Sequence, residues 1–384
     1  MSSRIRILHV LYRMGTGGTE LALKKLAAEL DPKRFENIIC TIAPLATTED
    51  VSGIRYVSLH RAGSKTGFLL PQLLRLFQRE RPDVVHSRNW GAIEAVPAAK
   101  LAGVRRVIHS EHGRDIHTMY GDPLRRRLFR RMCYSMANEI VAVSPELSRH
   151  YAAQLGIRAD RFKVIPNGVN TTKFCPNDEA RLRFRQHLGI SGQTVVLGTL
   201  ARLDPVKDHQ TLLRASAQAI QAGAPLHVVI AGDGPEKRRL IELTASIPLL
   251  HGHVSFVAET RQPEDCLNGF DIFALTSLSE GMSNTLLEAM ATALPCIVTR
   301  VGSNADLVQE GETGFLASAG NAEKLAQHIA TLAADAQLRH DLGLRGRSRV
   351  ESQFNLRKMV ESYSRLYAME TTSQPMARAV LDRI

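Results

Sequence analysis

Eleven short apolar or β-branched runs, separated by stretches of helical pattern, set the strongest limit on what this chain can fold into. Six lie in the first half: IRILHVLY, ENIICTIAP, DVVHSRN, RRVIHSEHG, NEIVAVS and RFKVIPNGV. Five lie in the second: TVVLGTLA, LHVVIAGDG, HVSFVAE, DIFALTS and PCIVTRV. Strands that are apolar almost throughout must be covered on both faces, and parallel strands with crossover helices supply that cover. The series occurs twice, so two doubly wound α/β domains are expected. Between them NGVNTTKFCPNDEARLRFRQHLGISGQ is polar, holds Pro176 and Gly189, and reads as a linker followed by a helix. With 384 residues the chain is long enough for two such cores. Open parallel sheets bind ligands beyond the carboxyl ends of their strands, so a cleft between two of them is where a site is expected.

Several function classes fall away. The longest apolar runs, such as Pro225 to Ala231 and Ile272 to Leu275, are far short of the roughly 20 residues that span a bilayer. In the N-terminal MSSRIRILHVLYRMGTGG the apolar run ends at Arg13 with no small-residue cleavage site after it, so it reads as a first buried strand. Cys40, Cys133, Cys175, Cys266 and Cys296 form no Cys-x-x-Cys pair, which indicates neither a zinc site nor a disulfide framework and fits a reducing cytoplasm. The formal charge of +11 is uneven: residues 1–170 hold 27 Lys and Arg against 15 Asp and Glu, the remainder 22 against 23. The excess is densest in PLRRRLFRRMCYSMANEIVAVS, where Arg125, Arg126, Arg127, Arg130 and Arg131 interleave with Leu128, Phe129 and Met132 at helical spacing. Such a helix suits an anionic membrane surface, each basic residue contributing about 1 kcal/mol there, and would make the protein peripheral at the inner face of the membrane. A solvated helix face explains the same pattern. Nucleic acid is not expected, because exposed aromatics and recognition modules are missing.

The unusual residues sit in loops after strands. In RMGTGGTELALKKLAAEL, Gly15, Gly17 and Gly18 precede an amphipathic helix. Glycines there let backbone N–H groups approach an anion, with the helix dipole adding attraction, although a tight strand-to-helix turn needs them equally. Glu20 stands where the dinucleotide fingerprint has its third glycine, and no Gly-Lys-Ser/Thr follows, which disfavours a nicotinamide enzyme and a P-loop. In TLARLDPVKDHQTLLRA, Arg202 and Lys207 follow a strand just before a helix that Asp208 is placed to cap; they are either a diphosphate site or solvated surface charge. Gly232, Gly234 and Pro235 of VIAGDGPEKRRL read first as a turn. In TSLSEGMSNTLLEAMATALPCIV the strand DIFALTS runs into Glu280–Asn284 and then a helix starting near Thr285 and ending before Pro295. Phosphate oxygens fit the free N–H groups near Asn284 and Thr285. Carboxylates accept well from vicinal hydroxyls, so Glu280 and Glu288 would reach the two ends of a sugar–diphosphate–ribose ligand. Thr285-x-x-Glu288 is also a capping-box pattern that explains Glu288 by helix-start chemistry alone.

The segment SEGMSNTLLEAMATALPCIVTRVGSNADLVQEGETGFL resembles the hallmark of the retaining GT-B glycosyltransferases of family 4: Glu, seven residues, Glu, an Ala-Met helix, a proline-led strand and a Gly-Phe loop. GTGGTE, IPNGVNTTKF, ARLDPVKD and IAGDGP follow in the family's order and spacing, so the resemblance covers essentially the whole chain. Within the family the chain is most similar to the group beside bacterial exosortase and exopolysaccharide loci. The resemblance implies a GT-B α/β fold with two Rossmann-like domains facing across a cleft. It implies an acceptor-binding domain over 1–170, a nucleotide-sugar-binding domain over 185–355, and a helix at about 356–384, beginning LRKMVESYSRLYAME, packing back on the first. Arg202 and Lys207 match the cations that hold the donor diphosphate. Glu288 matches the ribose-binding Glu and Glu280 the Glu near the sugar hydroxyls. Met282, Ser283, Asn284 and Thr285 match the backbone loop against sugar and phosphate, Gly17 and Gly18 the loop approaching diphosphate and acceptor, and His112 the histidine touching the donor sugar. His86 and His109 are expected to be structural. Asn170, Ala258 and Asp306 depart from the family's usual Asp, Gly and Glu, which leaves base and sugar preference open.

The implied reaction moves a sugar from a UDP- or GDP-sugar to a glycan, lipid-linked or other hydroxyl acceptor in exopolysaccharide or envelope synthesis. Leaving-group charge is expected to fall on Arg202, Lys207 and a helix N-terminus, with no metal or other cofactor, since no Asp-x-Asp triplet occurs. No far-face carboxylate nucleophile stands out, which favours front-side attack within an ion pair over double displacement. A GT-B epimerase or phosphorylase and a non-catalytic sugar-nucleotide-binding subunit are the rival classes.

Overall fold

Alternate residues of the central strands point into two different cores. In the computed structural model, which describes residues 4–15, 17–45, 53–60, 69–114, 122–258 and 262–368, Leu8, Val85, Val107 and Ile140 enter one apolar cluster and Ile7, Val84, Ile108 and Val141 another. All eight are fully buried, so the first sheet is covered on both faces, as its unbroken apolar runs require.

That sheet is built from β1 Ile5–Leu11, β2 Phe35–Thr41, β3 Arg55–Ser58, β4 Val84–Arg88, β5 Arg106–Glu111, β6 Glu139–Ala142 and β7 Phe162–Val164. Its order is β3-β2-β1-β4-β5-β6-β7 and every pairing is parallel. The second sheet comprises β8 Val195–Leu200, β9 Leu226–Ala231, β10 Val254–Val257, β11 Ile272–Leu275, β12 Cys296–Thr299 and β13 Gly314–Ala317, in the all-parallel order β10-β9-β8-β11-β12-β13. Two doubly wound Rossmann-like units result. β3 and β13 are additions to the eleven runs expected from sequence. Both are four-residue edge strands with one neighbour, and β3 is only partly buried, so neither needs a long apolar run.

Strand order reverses between β1 and β4 in one sheet and between β8 and β11 in the other, the two places where loops diverge and leave a crevice. The helix Leu356–Tyr367 lies on the first sheet: Leu356, Met359, Tyr363, Leu366 and Tyr367 are buried against Ile7, Phe35 and Val84, each apolar side chain contributing roughly 2 kcal/mol. Asn355 caps it by accepting from the Lys358 amide at 2.9 Å. The chain thus crosses between units twice, and the crossings touch: the Val169 amide donates to the Phe354 carbonyl and the Leu356 amide to that of Val169, both at 2.9 Å. The part of the expected C-terminal helix beyond residue 368 lies outside the described residues.

Candidate active-site cleft

The loop after β8 and the loop after β11 hold each other. The Leu278 amide donates to the Val206 carbonyl at 2.8 Å, and the Thr276 hydroxyl to the carbonyls of Lys207 and Asp208 at 3.1 and 3.0 Å. Asp208 caps the helix His209–Gln221, its carboxylate accepting from the Thr211 amide. Lys207 is thereby fixed at the end of the 3₁₀ turn Pro205–Lys207, and its Nζ donates to Glu280 Oε1 at 2.6 Å; the Ser277 hydroxyl donates to the same oxygen, also at 2.6 Å. Arg202 is half-exposed and paired through Nε and Nη2 with Asp204 at 2.6 and 2.7 Å.

Gly281 follows Glu280 and lies against the opposite unit. A Cβ there would sit 2.0 Å from the His112 carbonyl oxygen, so only glycine permits the approach. Its own carbonyl accepts from the Ser303 amide at 3.1 Å and from the Ser303 hydroxyl. Met282 is buried, its sulfur accepting from the Asn167 amide at 3.1 Å and its carbonyl from Asn167 Nδ2 at 3.3 Å. The helix that follows is Asn284–Ala291, and its cap is Ser283, which accepts from the Leu286 amide at 3.3 Å. This corrects the capping-box alternative for Thr285 and Glu288. The Thr285 hydroxyl meets Ser283 Oγ at 3.1 Å instead, and Glu288, 6% exposed, takes Lys25 Nζ at 2.7 Å. As first-turn residues, Asn284 and Thr285 have no intrahelical acceptor for their amides.

Across the cleft Gly17 caps the helix Gly18–Glu29 without a side chain, and Asn284 Nδ2 donates to the Gly18 carbonyl at 2.9 Å. Lys25 comes from the same helix. Asn89, just after β4 with φ +55°, accepts from the His112 amide at 2.8 Å and donates to the Thr19 hydroxyl at 3.3 Å, so it binds three loop ends together. His112 Nε2 lies 2.9 Å from Ser110 Oγ, and burial, with the Arg88 charge adding, pushes the ring pKa down to about 3. Thr19, Asn89, Trp90, Glu111, His112 and Arg130 line a cavity of about 310 Å³ here. Despite burial, Glu111 is held below the usual carboxylate range by a His109 hydrogen bond and the Arg130 charge.

All the proposed site residues therefore sit at the carboxyl ends of strands, most at the two reversal points. Arg202, Lys207, Glu280 and Met282 to Glu288 come from one unit, Gly17, Gly18 and His112 from the other. His86 and His109 are buried inside the first unit, at hydrogen-bonding distance from side chains. Three contributors were missed by sequence reasoning. Lys25 looks like any lysine on an amphipathic helix; Asn167 was quoted in IPNGV without a role; Asn89, an Asn directly after a strand at a reversal point, offered the only usable signal. The five-arginine pattern also needs correction. In the helix Leu124–Met136, Arg130 turns inward to Asp122 and Glu111, and Arg126 lies over the Trp90 ring at 4.2 Å. Arg125, Arg127 and Arg131 remain exposed beside Leu124, Leu128 and Met132, with Arg127 and Arg131 reaching the carbonyls of Gln154 and Leu155. No described helix is long and apolar enough to cross a membrane.

Comparison with known proteins shows the family and the fold. A family model described as Glycosyltransferase Family 4 matches residues 16–173, and one described as Glycosyl transferases group 1 matches residues 180–349. EpsF of Bacillus subtilis, whose name calls it a glycosyltransferase, is 30% identical over 310 residues, 78% of this chain and 80% of EpsF. An Escherichia coli enzyme named UDP-Gal:α-D-GlcNAc-diphosphoundecaprenol α-1,3-galactosyltransferase is 27% identical over 307 residues, 78% of each chain. The solved structure of Anabaena HepE with UDP superposes with a TM-score of 0.82 at 20% identity, over 95% of this chain and 100% of HepE.

Proposed function

The chain belongs to family 4 of the GT-B glycosyltransferases and is a glycosyltransferase; from that premise we propose that it transfers a sugar with retention from a UDP- or GDP-sugar to a glycan or lipid-linked hydroxyl acceptor of exopolysaccharide or envelope synthesis. The observation that carries this is the convergence, at two facing strand-order reversals, of Lys207, Arg202 and the open amides of Asn284 and Thr285 on one side with His112 and the Gly17–Gly18 helix start on the other. HepE has been solved with UDP-glucose, and the E. coli relative's name gives a UDP-sugar donor and a lipid-diphosphate acceptor. Both support a UDP-sugar donor here, and the second supports a lipid-linked acceptor.

In this reading Glu288 takes the ribose hydroxyls, Glu280 and the Met282–Thr285 backbone the sugar side, and Lys207 and Arg202 the diphosphate, without a metal. As the sugar–phosphate bond breaks, charge grows on the departing diphosphate, and two cations plus a helix N-terminus stabilise it more than they stabilise the ground state. Burial and the Arg88 charge push the His112 pKa down to about 3, which makes the ring a weak base, so in this reading it orients rather than removes a proton. The acceptor hydroxyl attacks the same face the diphosphate leaves, its proton passing to a phosphate oxygen.

The test is a donor screen by thermal shift in EDTA with UDP- and GDP-sugars, then incubation of the stabilising donor with a lipid-linked acceptor extract and anomer assignment by NMR. One donor is expected to raise the melting temperature, to release its nucleoside diphosphate and to give product of unchanged anomeric configuration. Conversion of donor alone to its epimer, or an inverted product, would overturn the reading.

The exposed row Leu124, Leu128 and Met132, at 67%, 58% and 44% exposure with Arg125, Arg127 and Arg131 alongside, supports peripheral contact with an anionic membrane, where a lipid-linked acceptor is met. Vesicles with 30% phosphatidylglycerol should co-sediment the protein, and Leu124→Ser with Leu128→Ser should abolish it. Equal sedimentation of parent and variant would refute the contact.

A further inference from the structure

Beneath the cleft floor, one face of the first sheet interrupts its apolar surface with His9 on β1, His86 and Arg88 on β4, and Ser110 on β5, with His112 just past that strand's end. All but His112 are buried. Adjacency follows from register: His9 pairs with His86, and Arg88 with Ser110. Over them lies Tyr367 of the C-terminal helix.

The contacts form a chain. Arg88 Nη1 is 3.2 Å from His9 Nδ1 and its Nη2 is 3.3 Å from His86 Nδ1. The Tyr367 hydroxyl is 2.8 Å from His86 Nδ1. His86 Nε2 lies 2.9 Å from Ser110 Oγ, which lies 2.9 Å from His112 Nε2. His112 Nδ1 is buried with no hydrogen-bond partner among the described residues.

A guanidinium can only donate, so both nitrogens facing Arg88 must accept. In a neutral ring the proton then resides on the other nitrogen. His9 Nε2–H accordingly donates to Asn37 Oδ1 at 3.0 Å, and His86 Nε2–H donates to Ser110 Oγ. The serine hydrogen is left to point at His112 Nε2. From this we infer that Arg88, through His86 and Ser110, fixes His112 in the Nδ1–H tautomer, so that the ring presents a neutral hydrogen-bond donor to an oxygen of the donor sugar. Arg88, His86, Ser110 and Tyr367 are positioning residues and His112 the only member to touch ligand. The part concerning the sugar rests on the glycosyltransferase reading above; the tautomer does not. Neutrality is consistent with burial, which lowers the pKa of His9, His86 and His112, the Arg88 charge adding in each case.

Imidazole in water prefers the proton on Nε2, so the assignment is the less common one and can fail. Long-range ¹H–¹⁵N correlation spectra of the full-length protein labelled at histidine, with His112 identified by its loss in His112→Asn, should show a protonated Nδ1 and a bare Nε2, unchanged between pH 8 and 5. A His112 signal protonated at Nε2 overturns the proposal, and sequential assignment through the backbone of residues 110–113 identifies that ring even if no variant folds. In Ser110→Ala the His112 proton should move to Nε2 and kcat/KM fall about tenfold, while Ser110→Thr, which keeps the hydroxyl, should restore both. A Ser110→Ala protein with the parent tautomer also overturns it. The stated tautomer shift with parent turnover would uphold the chain of hydrogen bonds and remove His112 from the sugar site.

Discussion

Replacing Lys207 by Met tests whether its charge acts on the leaving group or only on Glu280. In the folded protein Lys207 is one-fifth exposed and Glu280 about one-tenth, 2.6 Å apart. Loss of the lysine leaves the carboxylate with the Ser277 hydroxyl alone, which costs about 1–3 kcal/mol of stability. A diphosphate about 4 Å from the ammonium, at an effective dielectric near 20, interacts with it by about 4 kcal/mol per unit charge. Since that charge increases as the bond breaks, about 3–4 kcal/mol of barrier, or 10²–10³ in kcat, is expected to vanish with the side chain. The two roles separate in a double variant. Glu280→Gln neutralises the stranded carboxylate, so Lys207→Met with Glu280→Gln should recover most of the denaturation midpoint and none of the turnover. Urea unfolding measures the midpoint, and nucleoside diphosphate release at saturating donor measures the turnover. If Lys207→Met loses stability while kcat stays within threefold of the parent, Lys207 serves Glu280 and the leaving-group argument is wrong.

Two other expectations concern the interface and pH. Glu288→Gln should weaken the Lys25 contact between units, raising the KM for donor about tenfold with a smaller change in kcat; a parent-like KM would separate Glu288 from the ribose. His9, His86, His112 and His209 are all held below the ordinary histidine pKa by burial, with His112 at about 3 and His209 at about 4. Their unfolded forms take up protons below about pH 6.5 and the folded forms do not, so stability falls as pH falls through that window, by about 1.4 kcal/mol per pH unit for each. The melting temperature should drop steeply from pH 6.5 to 5, and a flat profile there would show that these rings are accessible to protons in the folded state.

Much of the site was legible in the chain because it depends on local geometry. A strand end, a turn and a helix start are sequence-adjacent events, so Arg202, Lys207, Glu280 and the Ser283–Thr285 helix start could be placed on loops from their order alone. The cap itself was not fixed by the sequence pattern, which left Thr285 open as a capping-box residue, because Ser283 and Thr285, two positions apart, carry the same hydroxyl chemistry and only backbone dihedrals distinguish them. Direction on a helix was likewise hidden: five arginines at helical spacing do not reveal that Arg130 turns inward, since its partners Asp122 and Glu111 lie on a preceding loop and strand.

The apolar runs and their repetition determined by themselves that two parallel sheets would form, because strands buried on both faces have no other arrangement. Only the tertiary structure decided which residues meet across the cleft and beneath its floor. Lys25 and Glu288 are 263 positions apart, Asn284 and Gly18 are 266, and His86 and Tyr367 are 281. Such pairs follow from how two finished units and a returning helix are set against one another. Periodicity describes each element's own burial and holds no information on that docking.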